Sequence, residues 1–254
     1  MQIIRFLQGR EPRYAAIEDG VAYPFDGVPW EGAVPSARGV PLDGLPLLAP
    51  CAPSKIVGVG RNYRAHAREM DSAAPEEPLI FLKPPSALVA SGEPIVRPRG
   101  YDRVDYEGEL AVVIGRRAHH VEPHNALEVV FGYTCINDVT VRDLQKKDVQ
   151  FTRAKGFDTF APLGPCVATG LDPAGLSLVT RVNGEVRQEA QIADMVFDVA
   201  TLVSFVSRVM TLWPGDVIAT GTPSGVGNLR AGDVVDVEIV GIGTLHNPVI
   251  DEEP

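Results

Sequence analysis

Cysteine is scarce in this sequence and never closely spaced: Cys51, Cys135 and Cys166 are odd in number, far apart, and form no CxxC pair. That excludes a disulfide framework and a cysteine-built structural zinc site, and the expected setting is a reducing, cytoplasmic one. No stretch approaches the roughly 18 consecutive apolar residues of a membrane span. The first residues, MQIIRFLQGREPRY, carry charges where a secretory leader needs an apolar core. Neither a membrane nor an export route is expected. Positive charge is short as well: 23 Lys and Arg face 33 Asp and Glu, a formal net charge of −10. No general field therefore exists to recruit nucleic acid or anionic lipid, and an anionic ligand must be met by a local cation or a bound metal. The chain has no low-complexity segment and no sustained heptad, which removes the fibrous and coiled-coil classes.

What remains is an ordinary globular composition, 45% hydrophobic and 22% charged over 254 residues, long enough to bury a core without staples. The 25 glycines and 22 prolines favour many short elements and tight turns over a helical bundle. Residues 1–50 read as a small N-terminal β domain, with short strands at Gln2–Leu7, Tyr14–Ile17 and Val21–Phe25, followed by an extended, proline-bearing connector from Gly39 to Pro53. Residues 51–254 read as the functional domain. Strand-length runs rich in β-branched residues recur there, at Lys55–Gly60, Pro78–Lys83, Gly108–Gly115, Gly132–Asn137, Asp216–Gly221 and Asp233–Gly243. Asn183-Gly184 between two further runs is the strongest short hairpin signal. Helices are fewer. Asp198 is a cap for an apolar 3.6-residue repeat, Val199, Leu202, Val203, Val206, Val209 and Met210, stopped by Trp213-Pro214-Gly215. Shorter helices are expected over 141–149 and 62–70. Strands without regular βαβ alternation predict an α+β fold with a mixed sheet that curls on itself.

Candidate chemistry begins at Tyr106-Glu107-Gly-Glu109-Leu-Ala-Val-Val-Ile114. In a strand, residues two apart share a face about 7 Å apart, so Glu107 and Glu109 sit together and run on into an apolar face. Two carboxylates at a core resist desolvation unless a cation joins them; an edge strand with two solvated acids is the bland alternative. Asp138, at the end of the run Tyr133–Ile136, adds a third hard oxygen, a donor set that suits Mg²⁺ or Mn²⁺ over zinc. In Gly58-Val-Gly60-Arg61-Asn62-Tyr63, a dinucleotide-binding reading fails because Tyr63 stands where the next glycine belongs. His66 and Glu69, three apart on the expected helix, are placed for the carboxylate to hold one imidazole tautomer and for the pair to take a proton from water. Lys155 stands beside Gly156 in an apolar region, suited to a substrate carboxylate or a developing oxyanion, or simply to solvent. Ala219-Thr220-Gly221-Thr222-Pro223-Ser224-Gly225 is a glycine-rich turn without the Gly-Lys-Ser/Thr of a phosphate loop; its N–H groups and hydroxyls can bind a carboxylate.

Taken in order, the segments 55–70, 81–84, 105–115, 137–145, 154–165, 181–188 and 215–227 resemble blocks of the fumarylacetoacetate hydrolase family. The resemblance spans about 200 residues, everything after the N-terminal part. It implies a mixed β-roll like that family's C-terminal domain, a homodimer, and a Mg²⁺- or Mn²⁺-dependent enzyme acting on small-molecule 2-oxo acids or their enols. By the same resemblance Glu107, Glu109 and Asp138 are the metal ligands. His66 and Glu69 match the dyad of the acylpyruvate hydrolase and oxaloacetate decarboxylase branch, on a helix acting as a lid over about 62–78, and Lys155 matches the active-site lysine. Gln145, Gly221, Thr222 and Arg61 fall in matching blocks as substrate contacts, with Thr222 as the threonine that fixes the substrate carboxylate.

A 2-oxo acid chelates one metal through its carboxylate and keto oxygens, and electrons released at C3 delocalise onto the keto oxygen, where a cation stabilises them. Acylpyruvate hydrolysis, oxaloacetate decarboxylation and isomerisation of a 2-hydroxyhepta-2,4-diene-1,7-dioate all pass through that enolate. C–C cleavage is the first expectation, because the His-Glu dyad has a task in activating water. The isomerase is the alternative within the enzyme class. A catalytically idle metal–carboxylate binding protein is the alternative outside it.

Overall fold

The computed structural model describes residues 1–253 and consists of mixed β-sheets with few helices, an α+β architecture. Its main sheet runs, in spatial order, Val40–Pro41, Val21–Pro24, Glu11–Glu18, Gln2–Gln8, Ala161–Ala168, Val130–Asn137, Gly108–Ile114, Val217–Ala219, Ile56–Gly60 and Leu79–Lys83. Neighbours on this path are antiparallel except Val217–Ala219 with Ile56–Gly60. A five-stranded sheet, Glu185–Gln191, Ser177–Val182, Val234–Ile239, Gly243–Asp251 and Ile95–Arg97, packs its buried face onto the same core. The hairpin at Asn183-Gly184 forms with both residues at positive φ, 53° and 81°, the backbone state a two-residue turn of this kind requires.

Among the described residues there are four α-helices, α1 (Arg64–Glu69), α2 (Arg142–Asp148), α3 (Thr152–Lys155) and α4 (Val199–Val209), besides five short 3₁₀ segments. The Asp198 side chain accepts from the Thr201 N–H at 2.8 Å, capping α4 as its sequence predicts. α1 and α2 lie within the expected spans. α3 is a single turn without a periodic signature, which is why the sequence does not announce it. Among the described residues no helix is long and apolar enough to cross a membrane.

Three expectations change. The segment 39–53 is not merely a connector, since Val40–Pro41 and Leu47–Leu48 both pair into the main sheet; the proline is accommodated because its strand lies at the sheet edge. The N-terminal strands join that sheet directly, with Gln2 and Ile3 opposite Ala168 and Val167. The strand bearing Glu109 is no edge. Gly108–Ile114 lies between Val130–Asn137 and Val217–Ala219, and all seven of its residues are buried. Nor does it run unbroken through Glu107: Val104–Tyr106 belongs to a separate three-stranded sheet, and Glu107 occupies the break between them.

Candidate active site

The break at Glu107 makes the site. Antiparallel register sets Gly108 opposite Asn137 and Glu109 opposite Ile136, so the chain reaches Asp138 just as it leaves the neighbouring strand. The Asp138 N–H donates to the Glu107 carbonyl at 2.8 Å and the Glu107 N–H donates to Asn137 Oδ1 at 2.9 Å, locking the two loops together. Glu107, Glu109 and Asp138 are all buried, and each offers a carboxylate oxygen within 4.8 Å of the others. A Cβ on Gly108, between the two acids, would fall on the Thr180 hydroxyl, so a side chain there forces that threonine to shift.

Three buried cations hold the cluster. Lys155 Nζ donates to Glu107 Oε2 at 2.7 Å, Asp138 Oδ2 at 2.5 Å and Thr140 Oγ1 at 2.8 Å, which uses all three of its protons. Lys83 Nζ donates to Asp138 Oδ1 at 2.5 Å. Arg142 bridges outward, from Nη2 to Glu107 Oε1 at 2.6 Å and from Nε to Asp105 Oδ2 at 2.7 Å. Burial works against ionising Glu107, but the charges of Lys155, Arg142 and His66 outweigh it and hold its carboxyl below the usual range. Burial likewise opposes the charge on Lys155, and Asp138 and Glu107 overcome it, raising its pKa. For Lys83 burial prevails over Asp138, helped by repulsion from Lys155, and the pKa falls. Glu109 differs from both partner acids. Among the described residues it has no ion pair and accepts only the Gly221 N–H, at 2.7 Å. Burial, then Asp138 and Glu107, push its carboxyl well above the ordinary value.

Lys83, Arg142 and Asp105 are the residues that sequence reasoning missed. Asp105 extends the alternation of Glu107 and Glu109 by one step, and Arg142 follows Asp138 by four residues, so both carried a local signal. Lys83 ends an apolar strand just before Pro84 and gave only a weak one.

Of the remaining candidates, Arg61, His66, Gln145 and Thr222 line one cavity of about 230 Å³ together with Glu107, Glu109 and Lys155, while Glu69 and Gly221 stand behind it. His66 Nδ1 lies 3.1 Å from Glu69 Oε2 on α1, and Glu69 Oε1 accepts the Gly225 N–H at 3.0 Å. A carboxylate at Nδ1 fixes that nitrogen as the protonated one and leaves Nε2 for proton transfer. Asn62 anchors the start of α1. Its side chain donates to the Phe197 and Thr220 carbonyls and accepts the Phe197 N–H. Gly221, at φ +100°, packs so tightly on Asn62 that a Cβ would come within 2.7 Å; that closeness aims its N–H at Glu109. Gln145 Oε1 accepts from Arg142 Nη1 at 2.8 Å, leaving the amide NH₂ for a ligand. The Thr222 hydroxyl donates to the Gly108 carbonyl at 2.9 Å and accepts from Gln188 Nε2 at 2.7 Å, so its own proton is committed. A larger depression of about 700 Å³ beside Arg187 and Arg230 contains none of the acidic trio.

The donors fit a hard divalent cation: three buried carboxylates, no sulfur or imidazole in the set, and one acid, Glu109, without a compensating charge. The fold and its motifs have named counterparts. Residues 55–250 match the family model described as fumarylacetoacetate (FAA) hydrolase C-terminal. This chain belongs to the fumarylacetoacetate hydrolase family. Residues 1–50 match a separate model, Rv2993c-like, N-terminal. Relatives in the family bear tautomerase, isomerase and hydrolase names. The chain is 46% identical over 212 residues to oxaloacetate tautomerase YisK of Bacillus subtilis, covering 78% of this chain and 70% of that one. The structure of 5-carboxymethyl-2-hydroxymuconate delta-isomerase from Mycobacterium smegmatis superposes with a TM-score of 0.93 at 45% identity, covering 99% of this chain and all of that one. Maleylpyruvate hydrolase from Sphingobium sp. SYK-6, solved with manganese(II) and pyruvate, gives 0.81 at 30% identity with full coverage of both chains.

Proposed function

We propose that this protein is a Mg²⁺- or Mn²⁺-dependent enzyme that moves a proton at C3 of a 2-oxo acid, with keto–enol exchange of oxaloacetate as its first reaction. The observation that carries this reading is a cavity lined by Glu107, Glu109 and His66, with Asp138 completing the acid trio behind it and Glu69 bonded to the His66 ring. Glu107, Glu109 and Asp138 would hold the ion. A bound divalent cation supplies Lewis-acid stabilisation of negative charge on the substrate's keto oxygen. His66, with Nδ1 tied to Glu69, takes or returns the C3 proton at Nε2. Lys155 holds Glu107 and Asp138 in place through its hydrogen bonds, and the Gln145 amide NH₂ meets a substrate oxygen. The relatives named oxaloacetate tautomerase, in Bacillus subtilis and in Bos taurus, favour this reaction.

A second reading, hydrolysis of the C3–C4 bond of an acylpyruvate, is favoured by the same dyad acting on water and by the maleylpyruvate hydrolase likeness. Oxaloacetate decarboxylation shares the enolate and needs no water attack. The homodimer belongs to the same proposal and is checked by light scattering.

One panel tests the readings together. Oxaloacetate, acetylpyruvate and a hydroxydienedioate are assayed with chelated protein and again after Mg²⁺ or Mn²⁺ is restored. Metal-dependent acceleration of the oxaloacetate enol-to-keto change is expected. Metal-loaded protein that accelerates none of the three reactions would overturn the enzyme reading.

A further inference from the structure

Four basic side chains line the site cavity: Arg61, Arg142, Lys146 and Lys155. Two of them are engaged, Arg142 by Asp105 and Glu107, and Lys155 by Glu107 and Asp138. Arg61 and Lys146 take part in no side-chain hydrogen bond or ion pair among the described residues. They come from different elements. Arg61 stands between the strand Ile56–Gly60 and α1, and Lys146 follows Gln145 on α2. Arg61 is also held at φ +58°, a left-handed state that disfavours any residue with a Cβ. The next residue, Asn62, is fastened by three hydrogen bonds, to Phe197 and Thr220, and so keeps that backbone in place. Backbone strain maintained by its surroundings at a cavity wall indicates a side chain whose direction matters.

In a chain of net charge −10, two cations without a protein partner on the wall of one small cavity favour an anionic ligand there. The acid trio and its ion account for one carboxylate of a 2-oxo acid. We infer that Arg61 and Lys146 hold a second, distal carboxylate, which makes the preferred substrate a short 2-oxo dicarboxylate and not an acylpyruvate with an apolar tail. The inference deepens the 2-oxo acid reading and rests on it. Lys146 is the new element, a specificity residue that sequence patterning did not single out. Its exposure places its charge at the cavity mouth, where a distal group would lie.

The test uses Arg61→Asn, which tolerates the left-handed backbone, Lys146→Met, and the double variant. In the double variant the ratio of kcat/KM for oxaloacetate to that for acetylpyruvate should fall roughly 10- to 100-fold, the loss expected for charge-assisted hydrogen bonds. A ratio within about twofold of the unaltered protein would overturn the assignment. A second measurement needs no turnover: calorimetric binding to Mn²⁺-loaded protein of 2-oxoglutarate and of 2-oxopentanoate, which differ in the terminal carboxylate. The unaltered protein should prefer the diacid and the double variant should lose that preference. Equal affinities in the unaltered protein would sink the distal-carboxylate site, whereas a preference without turnover on any substrate would sink the proposed reaction and leave the site standing.

Discussion

The N–H of Gly221 donates to Oε2 of Glu109 across 2.7 Å, and among the described residues that carboxylate has no ion-pair partner. Glu109 is therefore the member of the trio whose charge the protein leaves for something else to balance. Glu109→Gln keeps the shape and removes the charge, so divalent-ion binding should be lost while the chelated protein keeps its melting temperature within a few degrees, since a buried uncompensated charge stabilises nothing. Mn²⁺ titration by electron paramagnetic resonance, alongside thermal melts in chelator, reads both. Undiminished Mn²⁺ affinity in the variant would remove Glu109 from the metal set.

Lys83 and Asp138 form a fully buried pair, 0% and 1% exposed. Lys83→Met takes away one partner and leaves Asp138 with less compensation, a change of about 3–5 kcal/mol for buried pairs. For a chain of this size that lowers the melting temperature by roughly 6–20 °C. Added Mn²⁺ should recover part of the loss, because it replaces positive charge beside Asp138. A variant as stable as the parent in chelator would show that the pair is energetically idle.

In the proposed reaction His66 and Glu69 handle protons and do not hold the ion. His66→Ala should reduce oxaloacetate enol–keto exchange by about 10²–10⁴ and leave Mn²⁺ affinity within twofold. Glu69→Gln should retain part of the rate, since Glu69 orients the ring without touching the substrate. Full activity in His66→Ala would assign the proton transfer elsewhere.

The thiols give a pH prediction. Burial pushes Cys51 and Cys166 up to about 12 from an ordinary value of 9.0, and Cys135 higher still. A folded pKa above the unfolded one means that stability is complete below pH 9 and is lost as pH rises toward 12. Each thiol removes about 1.4 kcal/mol per pH unit in that window. Melting temperature should fall steeply above pH 9, and Ellman's reagent at pH 8 should find no thiol in the native protein and three after unfolding. Rapid reaction of any cysteine in the native state would contradict this burial.

Much of the site was legible because its signals are local. Glu107 and Glu109 alternate beside an apolar strand, Asp138 sits at a strand end, and His66 and Glu69 share one helical turn. The Asp198 cap and the Asn183-Gly184 hairpin were legible for the same reason. What stayed hidden depends on contacts far apart in the chain. Lys83 meets Asp138 across 55 residues and Arg142 meets Glu107 across 35, and a single cation in a sequence says nothing of the acid it will find. Strand order is hidden in the same way. Nothing local shows that the strand after Glu107 lies mid-sheet, or that Gln2 pairs with Ala168. The break at Glu107 is itself a tertiary effect, since Val104–Tyr106 is drawn into a different sheet.

The ammonium of Lys155, bonded to Glu107 and Asp138, offsets part of the negative charge at the centre before any ion is bound. Unlike a zinc finger, whose ligands repel one another until the ion arrives, this chain can complete its fold before loading. If the proposed metal dependence holds, depletion of magnesium or manganese leaves a reservoir of intact, silent protein, ready to resume work when the ion returns.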